Sequence, residues 1–301
     1  MPDAAATIDA LPHFKAPADG RLSDTMLAAY RAAGVIILEG FVSREACARL
    51  RERALELVRG FDPGELASVF STTTQAQLND RYFIESGDKI RFFLEQDAFN
   101  ADGSLRQPKE ESLNKLGHAM HDLDPEFEHF SHTDELAAAC DSLGIADPAI
   151  IQSMYIFKPP RIGGEVVCHQ DSTYLYTEPE SCTGFWFALE DATVENGCMY
   201  FIPGEHRGPL KKRNYRVSDT VLATDTLDDT PWPEHRKQPA EAPAGTLVIF
   251  DGRTPHLSGA NRSDKSRHAY TLHVIDRNCH YPATNWLQRG AELPLKGFRR
   301  A

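Results

Sequence analysis

Between Ile150 and Asp276 the chain is a succession of short apolar segments separated by turns, and no other feature limits the possible folds as strongly. The segments are rich in β-branched and aromatic residues, and the turns contain Gly, Pro and Asn. The expected strands are Ile151–Phe157, Glu165–His169, Thr183–Leu189, Met199–Ile202, Thr246–Phe250, His256–Ser258 and Arg267–Ile275. Short strands at this spacing are typical of an antiparallel sandwich or barrel, and the natural choice is a jelly roll, or double-stranded β-helix.

The part of the chain before Ile150 has mostly helical periodicity. Apolar residues recur at intervals of three and four, with Ser43 as an N-cap and Gly34 as a stop signal. The expected helices are Leu22–Ala33, Arg44–Arg59, Lys109–Ala119, Pro125–His129 and Asp134–Leu143, and the expected strands are Val35–Leu38, Arg81–Ile84 and Asp88–Leu94.

Neither a linker nor an internal repeat separates the two parts of the sequence. We therefore expect one α+β domain that is mainly β, in which helices pack on a jelly-roll core. Its expected parts are a helix-rich segment (1–149), the jelly roll (150–276) and a C-terminal extension (277–301), together spanning residues 1–301.

Composition excludes several classes of function. The net charge of −12 argues against a nucleic-acid-binding surface, because phosphates are bound by clustered Lys and Arg. We interpret the one dense basic cluster, Lys211–Arg213, as a solvated loop. No apolar run reaches the roughly 18 residues of a membrane span, and the start of the chain does not predict a secretory signal peptide. The six cysteines form no CxxC pair, so we expect reduced thiols and a cytoplasmic location.

His169 and Asp171 are separated by one residue at the end of an expected strand. Alternate side chains of a strand lie on the same face, so this imidazole and this carboxylate can reach one ion. His256 follows a strand and a turn, where a neighbouring strand of a jelly roll would supply a third ligand. Two imidazoles and one carboxylate with open positions form the facial triad of non-haem Fe(II) oxygenases, whereas structural zinc prefers a closed set that includes thiolates.

Arg267 lies on the strand that follows His256. Its planar guanidinium matches a carboxylate through two parallel hydrogen bonds and stays charged in a closed pocket. Ser258 shares a strand face with His256 and adds a hydroxyl donor. These residues predict a carboxylate-binding site beside the metal.

A second His-x-Asp sequence, His132-Thr133-Asp134, comes directly before a strong helix former. Helix capping explains these residues without a metal, so we assign the metal to His169 and Asp171. Cys168 is adjacent to His169 and points to the opposite face of the strand, so we expect it in the core.

The metal-ligand candidates, together with Ser258 and Arg267, resemble the iron and 2-oxoglutarate signature of the phytanoyl-CoA dioxygenase family. The likeness extends from about Val35 to Pro294 and is closest to the subgroup called phytanoyl-CoA dioxygenase domain-containing protein. Other segments that share it are Ser86–Phe93, Gln152–Ile156, Glu195–Cys198, Pro203–His206 and His280–Gln288. His206 is not an iron ligand in the family, and we interpret it as structural or pocket-lining.

The resemblance implies that Arg267 and Ser258 bind the distal carboxylate of 2-oxoglutarate. It also implies that the cosubstrate pocket is lined by Lys89, Met154 and Trp186. Tyr174, Tyr176 and Phe83 are further aromatic candidates for the site.

By this resemblance the protein is an Fe(II)- and 2-oxoglutarate-dependent dioxygenase. It would use O2 to hydroxylate an aliphatic C–H of a small organic substrate while 2-oxoglutarate is decarboxylated to succinate and CO2. Related halogenases have a small residue in place of the carboxylate ligand, so Asp171 favours hydroxylation. The alternatives are a non-oxygenase, cupin-like metal protein (an isomerase or a sensor), an interaction scaffold, or an acyl-CoA hydroxylase of the same class. The acidic composition favours a small molecule over a CoA ester, whose phosphates require a cationic surface. The sequence makes no prediction of oligomeric state.

Overall fold

The computed structural model describes residue 8 and residues 10–62, 68–74 and 80–298. Its α-helices are α1 (Asp24–Ala33), α2 (Arg44–Gly60), α3 (Arg81–Ile84), α4 (Met120–Leu123), α5 (Pro125–Ser131) and α6 (Asp134–Leu143). Its strands are β1 (His13–Lys15), β2 (Val35–Glu39), β3 (Val69–Phe70), β4 (Ile90–Glu95), β5 (Leu113–His118), β6 (Pro148–Ile156), β7 (Val166–His169), β8 (Thr183–Ala188), β9 (Met199–Phe201), β10 (Lys212–Ser218), β11 (Val221–Thr226), β12 (Gln238–Ala240), β13 (Leu247–Asp251), β14 (His256–Ser258) and β15 (Ala269–Asp276). Within these ranges, no helix is both long and apolar enough to cross a membrane.

The strands form a major sheet, a minor sheet and a separate hairpin. The major sheet has nine strands in the order β1-β2-β13-β8-β15-β6-β5-β4-β3, and the minor sheet has four in the order β12-β9-β14-β7. The hairpin is β10-β11. Pairing is antiparallel except between β1 and β2 and between β3 and β4. This arrangement, with helices packed on one sheet, is the expected jelly roll and confirms the α+β fold class.

Both faces of the major sheet are buried. Phe185 and Phe187 of β8 lie in the same apolar cluster as Leu50 of α2, whereas Trp186 between them packs with Phe201 of the minor sheet. Alternate residues of a strand point to opposite faces, so one run of apolar residues fills both layers. The helices therefore cover the outer face of the major sheet, and the space between the two sheets is left for a site.

The helix α2 shows how local sequence produces the outer layer. The Ser43 hydroxyl accepts a hydrogen bond from the Ala46 amide at 3.1 Å and caps the helix. Leu50, Ala54 and Val58 follow at helical spacing and are all buried. Burying an aliphatic side chain such as Leu50 or Val58 stabilises the fold by about 1.5–3 kcal/mol, so the packed face holds this helix on the sheet.

The predicted helix Lys109–Ala119 is wrong. Only Lys109–Glu111 is helical, as a single 3₁₀ turn, and the following residues form β5. This strand pairs with β4 on one side and β6 on the other. Backbone hydrogen bonds to two neighbours and burial on both faces outweigh the local helical propensity.

The predicted strand Arg81–Ile84 is also wrong, because these residues form the short helix α3. Asp80 caps it by accepting a hydrogen bond from the Tyr82 amide at 2.9 Å. The part before Ile150 is also less helical than expected, since it supplies β1 to β5 at the two edges of the major sheet.

Candidate active site

Three polar side chains meet at one end of the minor sheet. His169 is the last residue of β7 and pairs directly with His256, the first residue of β14. Gln170 is still extended, so Asp171 faces the same side as His169 although it opens a 3₁₀ turn. The Asp171 Oδ1 lies 3.5 Å from the Nε2 atom of each histidine. The candidate donor atoms of the three residues all lie within 4.8 Å of one another.

The backbone determines which nitrogen of each histidine faces this point. Nδ1 of His169 lies 2.9 Å from the Val167 carbonyl, and Nδ1 of His256 lies 2.9 Å from the Thr254 carbonyl. A carbonyl oxygen only accepts, so each Nδ1 carries the proton and each Nε2 presents a lone pair. Fixing the tautomer in this way is typical of metal-binding histidines.

The outer oxygen of Asp171 is held by a residue that the sequence did not point to. His273 of β15 donates from Nε2 to Asp171 Oδ2 at 2.9 Å. Burial alone would raise the pKa of the Asp171 carboxyl, but the charges of His273 and His256 and hydrogen bonds from histidines hold it well below its usual range. Asp171 is therefore ionised, with Oδ1 directed towards the two Nε2 atoms.

The protonation states of the neighbours suit a cation. Burial, followed by the charge of His169, lowers the pKa of His256 to about 4, so its imidazole is neutral at physiological pH. Burial raises the pKa of the Cys168 thiol to about 12, and a protonated thiol is a poor ligand. Cys168 is half-buried rather than fully in the core. The donor set is therefore two imidazoles and one carboxylate without thiolate, which fits ferrous iron with open positions.

A cavity of about 170 Å3 adjoins the three donors. Its walls are the inner face of the major sheet, the minor sheet and the hairpin β10-β11. Arg216 of the hairpin donates to the Trp286 carbonyl at 2.7 Å and so ties the hairpin to the C-terminal segment. The apolar part of the lining includes Phe70, Phe83, Leu175, Leu222 and Trp286.

Arg267 and Ser258 line the cavity together, as expected from the sequence. The Arg267 side chain is 1% exposed, and its Nε donates to the Gly197 carbonyl at 3.2 Å. Its Nη1 has no hydrogen-bond partner within the described part of the chain. Burial lowers the pKa of Arg267 to about 10, which leaves the guanidinium charged at neutral pH. A buried cation with an unused donor fits an anionic ligand.

Met154 of β6 and Trp186 of β8 also line the cavity, and the Arg267 guanidinium lies 5.4 Å from the centre of the Trp186 ring. Lys89 does not. It precedes β4, and its half-exposed ammonium donates to Asp88 at 2.6 Å and to the Glu85 carbonyl.

Lys115 of β5, unlike Lys89, does line the cavity. Its ammonium lies 3.3 Å from the centre of the Phe70 ring, and burial lowers its pKa to about 7. The sequence does not point to Lys115, because the pattern of its segment, Lys109–Ala119, predicts a helix.

Glu95 and Lys158 line the cavity and were also missed. His273 could have been found, because Arg267, Thr271 and His273 follow the strand period of two on one face. No comparable pattern marks Glu95, the last residue of β4, or Lys158, which follows the end of β6.

The remaining candidates divide clearly. Tyr174 lines the cavity, whereas Tyr176 lies outside the lining and donates to Glu178 at 3.1 Å. His206 is buried and bonds the Arg31 carbonyl at 3.2 Å, which is a structural contact.

Among the rival His-x-Asp residues, Thr133 caps α6 by accepting a hydrogen bond from the Leu136 amide at 3.3 Å. The capping interpretation of His132-Thr133-Asp134 is confirmed.

Comparison with known proteins decides the family. The family model described as "Phytanoyl-CoA dioxygenase (PhyH)" matches residues 30–269. The chain belongs to the phytanoyl-CoA dioxygenase family. Phytanoyl-CoA dioxygenase 1 of Oryza sativa subsp. japonica is 47% identical over 277 residues, covering 91% of this chain and 96% of the relative. Phytanoyl-CoA dioxygenase domain-containing protein 1 of Danio rerio is 43% identical over 283 residues, covering 91% and 97%.

A solved structure of similar fold is the epimerase SnoN in complex with Fe3+, alpha ketoglutarate and nogalamycin RO. It has a TM-score of 0.62 and 17% identity, and the alignment covers 91% of this chain and 93% of that one. Together with the His169, Asp171 and His256 cluster, family membership identifies this phytanoyl-CoA dioxygenase family protein as an iron- and 2-oxoglutarate-dependent dioxygenase. The family predicted by resemblance is confirmed. Membership of a dioxygenase family argues against an interaction scaffold and against a non-oxygenase metal protein.

Proposed function

We propose that this dioxygenase hydroxylates an aliphatic C–H group of a small organic molecule, with decarboxylation of 2-oxoglutarate to succinate and CO2. The observation that carries the proposal is the combination of the three-donor cluster with one small cavity that has a cationic end and an apolar wall. The cationic end suits a dicarboxylate cosubstrate, and the apolar wall suits an aliphatic group.

His169, Asp171 and His256 would hold the iron, and His273 would orient Asp171. Iron bound there with 2-oxoglutarate and O2 supplies the oxidising chemistry, and the protein's share is positioning and exclusion of water. The carboxylate at Asp171 supports hydroxylation over halogenation, since it occupies the coordination position that a halide would need.

For 2-oxoglutarate, we propose that Arg267 and Ser258 bind the distal carboxylate. Met154 and Trp186 would flank the chain of the cosubstrate. Lys115 would take the role that the resemblance gave to Lys89, because Lys115 lines the cavity and Lys89 does not. A lysine and an arginine at separate points of the wall suit the two carboxylates of one molecule.

The cavity dimensions favour a small substrate. Its volume of about 170 Å3 is below the ~300–1,000 Å3 of pockets that enclose drug-sized ligands. Lys211 and Arg213, the strongest candidates for binding CoA phosphates, are already engaged, Lys211 with Asp228 at 3.0 Å and Arg213 with Asn285 at 2.5 Å. The basic cluster also lies at the start of β10 rather than in a loop.

We further propose that residues 1–301 act as one catalytic domain in a reducing compartment such as the cytoplasm. Strands from both halves of the chain share the major sheet, which supports one domain. The six cysteines are all free, which supports a reducing environment.

The test is a turnover screen with the purified protein reconstituted anaerobically with Fe(II). Succinate release that depends on O2 and iron is measured over a panel of small metabolites and acyl-CoA esters, and mass spectrometry scores products that gain one oxygen atom. Turnover of small molecules supports the proposal. Turnover restricted to acyl-CoA esters would assign the substrate to the alternative, and failure with every substrate would count against hydroxylation.

A matched pair of variants tests the choice of metal site. Asp171→Ala removes a proposed ligand, and Thr133→Ala alters the rival His-x-Asp sequence at a helix cap. We expect the first to abolish retention of iron and the second to keep it, as measured by metal analysis after gel filtration. Equal iron content in both variants would refute the assignment.

A further inference from the structure

A second buried cation, Lys158, stands beside the Arg267 end of the cavity. Its side chain is 2% exposed, and its ammonium donates to the Gly164 carbonyl at 2.6 Å and to the Ser258 hydroxyl at 2.8 Å. The backbone carbonyl of Lys158 also accepts a hydrogen bond from the Arg267 amide at 3.2 Å. The two cations are therefore linked to each other and to Ser258.

Lys158 has a backbone φ of 40°, in the left-handed region that disfavours residues other than glycine. Surrounding contacts hold it there, since Asn261 donates to the Lys158 carbonyl at 3.0 Å and Gly197 lies against the Lys158 side chain. A strained residue whose ammonium is held at a cavity wall is a pattern found at binding sites.

The hydrogen bond between Lys158 and Ser258 determines which way the serine hydroxyl can act. An ammonium has only donors, so Ser258 Oγ must accept from Lys158. The hydroxyl hydrogen of Ser258 is then free to donate into the cavity. A serine hydroxyl can either donate or accept a hydrogen bond. Contact with the lysine leaves Ser258 to act as a donor towards the cavity, and a carboxylate needs a donor.

Glu95, at the end of β4, balances this charge. It is 2% exposed, and its Oε1 has no hydrogen-bond partner in the described ranges of the chain. Burial raises the pKa of Glu95 to about 7, with Lys158 acting in the opposite direction. Burial, followed by the charge of Arg267, lowers the pKa of Lys158 to about 7. The Arg267 end of the wall thus holds two cations and one carboxyl group, which leaves a net positive site for an anion.

We propose that Lys158 is a positioning residue of the distal-carboxylate site, which it completes by orienting the Ser258 hydroxyl as a donor and by adding its charge to that of Arg267, with Glu95 as its counter-charge. The inference rests on the proposed binding of 2-oxoglutarate by Arg267 and Ser258. Lys158 would then make the site prefer a 2-oxo acid that carries a second carboxylate to one whose far end is uncharged.

The experiment measures binding rather than turnover. Fe(II)-loaded protein is titrated anaerobically with 2-oxoglutarate and with 2-oxovalerate, which has the same chain length and metal-binding end but a methyl group in place of the distal carboxylate. Absorbance of the iron–oxo-acid complex reports each Kd. The variants are Lys158→Met, Glu95→Gln and, as an exposed control that removes the same charge, Lys237→Met.

We expect Lys158→Met to weaken 2-oxoglutarate roughly 10- to 100-fold, the usual cost of a lost contact to a charged group. Binding of 2-oxovalerate should change by less than about twofold, since Lys158 does not contact the shared end of the molecule. At neutral pH, Glu95→Gln should tighten 2-oxoglutarate by at least about threefold, because it removes a negative charge that repels the distal carboxylate. Lys237→Met should leave both Kd values unchanged.

Equal weakening of both ligands by Lys158→Met would overturn the inference, because it would indicate general damage to the cavity. No change in 2-oxoglutarate binding, or weaker binding in Glu95→Gln, would overturn it as well. If Lys158→Met does not fold, the Glu95→Gln result decides alone. Failure of the unaltered protein to bind either ligand would instead refute the proposed function.

Discussion

Replacing His273 by leucine removes the hydrogen bond that holds the outer oxygen of Asp171. The bond is 2.9 Å long, the histidine is 2% exposed, and its partner is an ionised carboxylate. A hydrogen bond to a charged group contributes about 1.5–3 kcal/mol. If this free energy serves to hold Asp171 in position for the metal, its loss lowers iron affinity by roughly 10- to 150-fold.

Affinity is measured by anaerobic competition for Fe(II) between the protein and a chelating indicator. His273→Gln retains a side-chain donor and is expected to recover part of the loss. The matched control is His268→Leu, because His268 is also buried but bonds the Tyr155 hydroxyl at 2.7 Å, away from the metal. Thermal unfolding shows that each variant is folded.

The reasoning fails if His273→Leu binds iron as tightly as the unaltered protein. It also fails if His268→Leu weakens iron binding to the same extent, because the effect would then come from general loss of packing. A loss in His273→Leu that glutamine does not reduce would indicate that ring shape, rather than the hydrogen bond, positions Asp171.

Three further predictions concern stability. Burial lowers the pKa of Lys115 from 10.5 to about 7. Below pH 7 the charged lysine therefore destabilises the ligand-free fold by on the order of 5 kcal/mol. This cost disappears as the pH rises towards 10.5, because the lysine is then neutral in the folded protein and loses its proton in the unfolded chain as well. Lys115→Met should therefore raise Tm most near neutral and acidic pH, and a gain independent of pH in calorimetry would contradict this. Thr133→Ala removes the cap of α6 and should lower the free energy of unfolding in urea by about 1 kcal/mol, whereas no loss would mean that the cap is not needed. At Gly184 a Cβ would lie 2.3 Å from the Phe250 ring, so Gly184→Ala should cost about 1–3 kcal/mol, whereas Gly259→Ala, where nothing lies within 4 Å, should be close to neutral.

The jelly-roll strands were predictable because each is short, apolar and bounded by turn residues. Strand β8 follows the expected segment Thr183–Leu189 closely, and β14 has the expected bounds, His256–Ser258. The failures lie where packing competes with local propensity. Leu113–His118 has no strong strand pattern of its own, and only its place between β4 and β6 makes it a strand.

The choice between two lysines shows the same limit in the site. Lys89 and Lys115 are both unremarkable in the sequence, and resemblance pointed to Lys89. The register of β5 turns Lys115 into the cavity, whereas Lys89 precedes β4 and its ammonium remains half-exposed. A side chain's direction depends on strand register, which is set by pairing with distant strands.

The sequence by itself predicted the reaction class, because the spacing of His169, Asp171, His256 and Arg267 suggested a metal beside a carboxylate site and the surrounding segments resembled one family of dioxygenases. Only the tertiary structure decided what surrounds them. His273, Lys115, Lys158 and Glu95 reach the cavity from four separate segments of the chain, and burial there shifts the pKa of Lys115, Lys158 and Glu95. Burial and contact between distant segments do not exist until the sheets pack, so the roles of these groups become visible only in the folded chain.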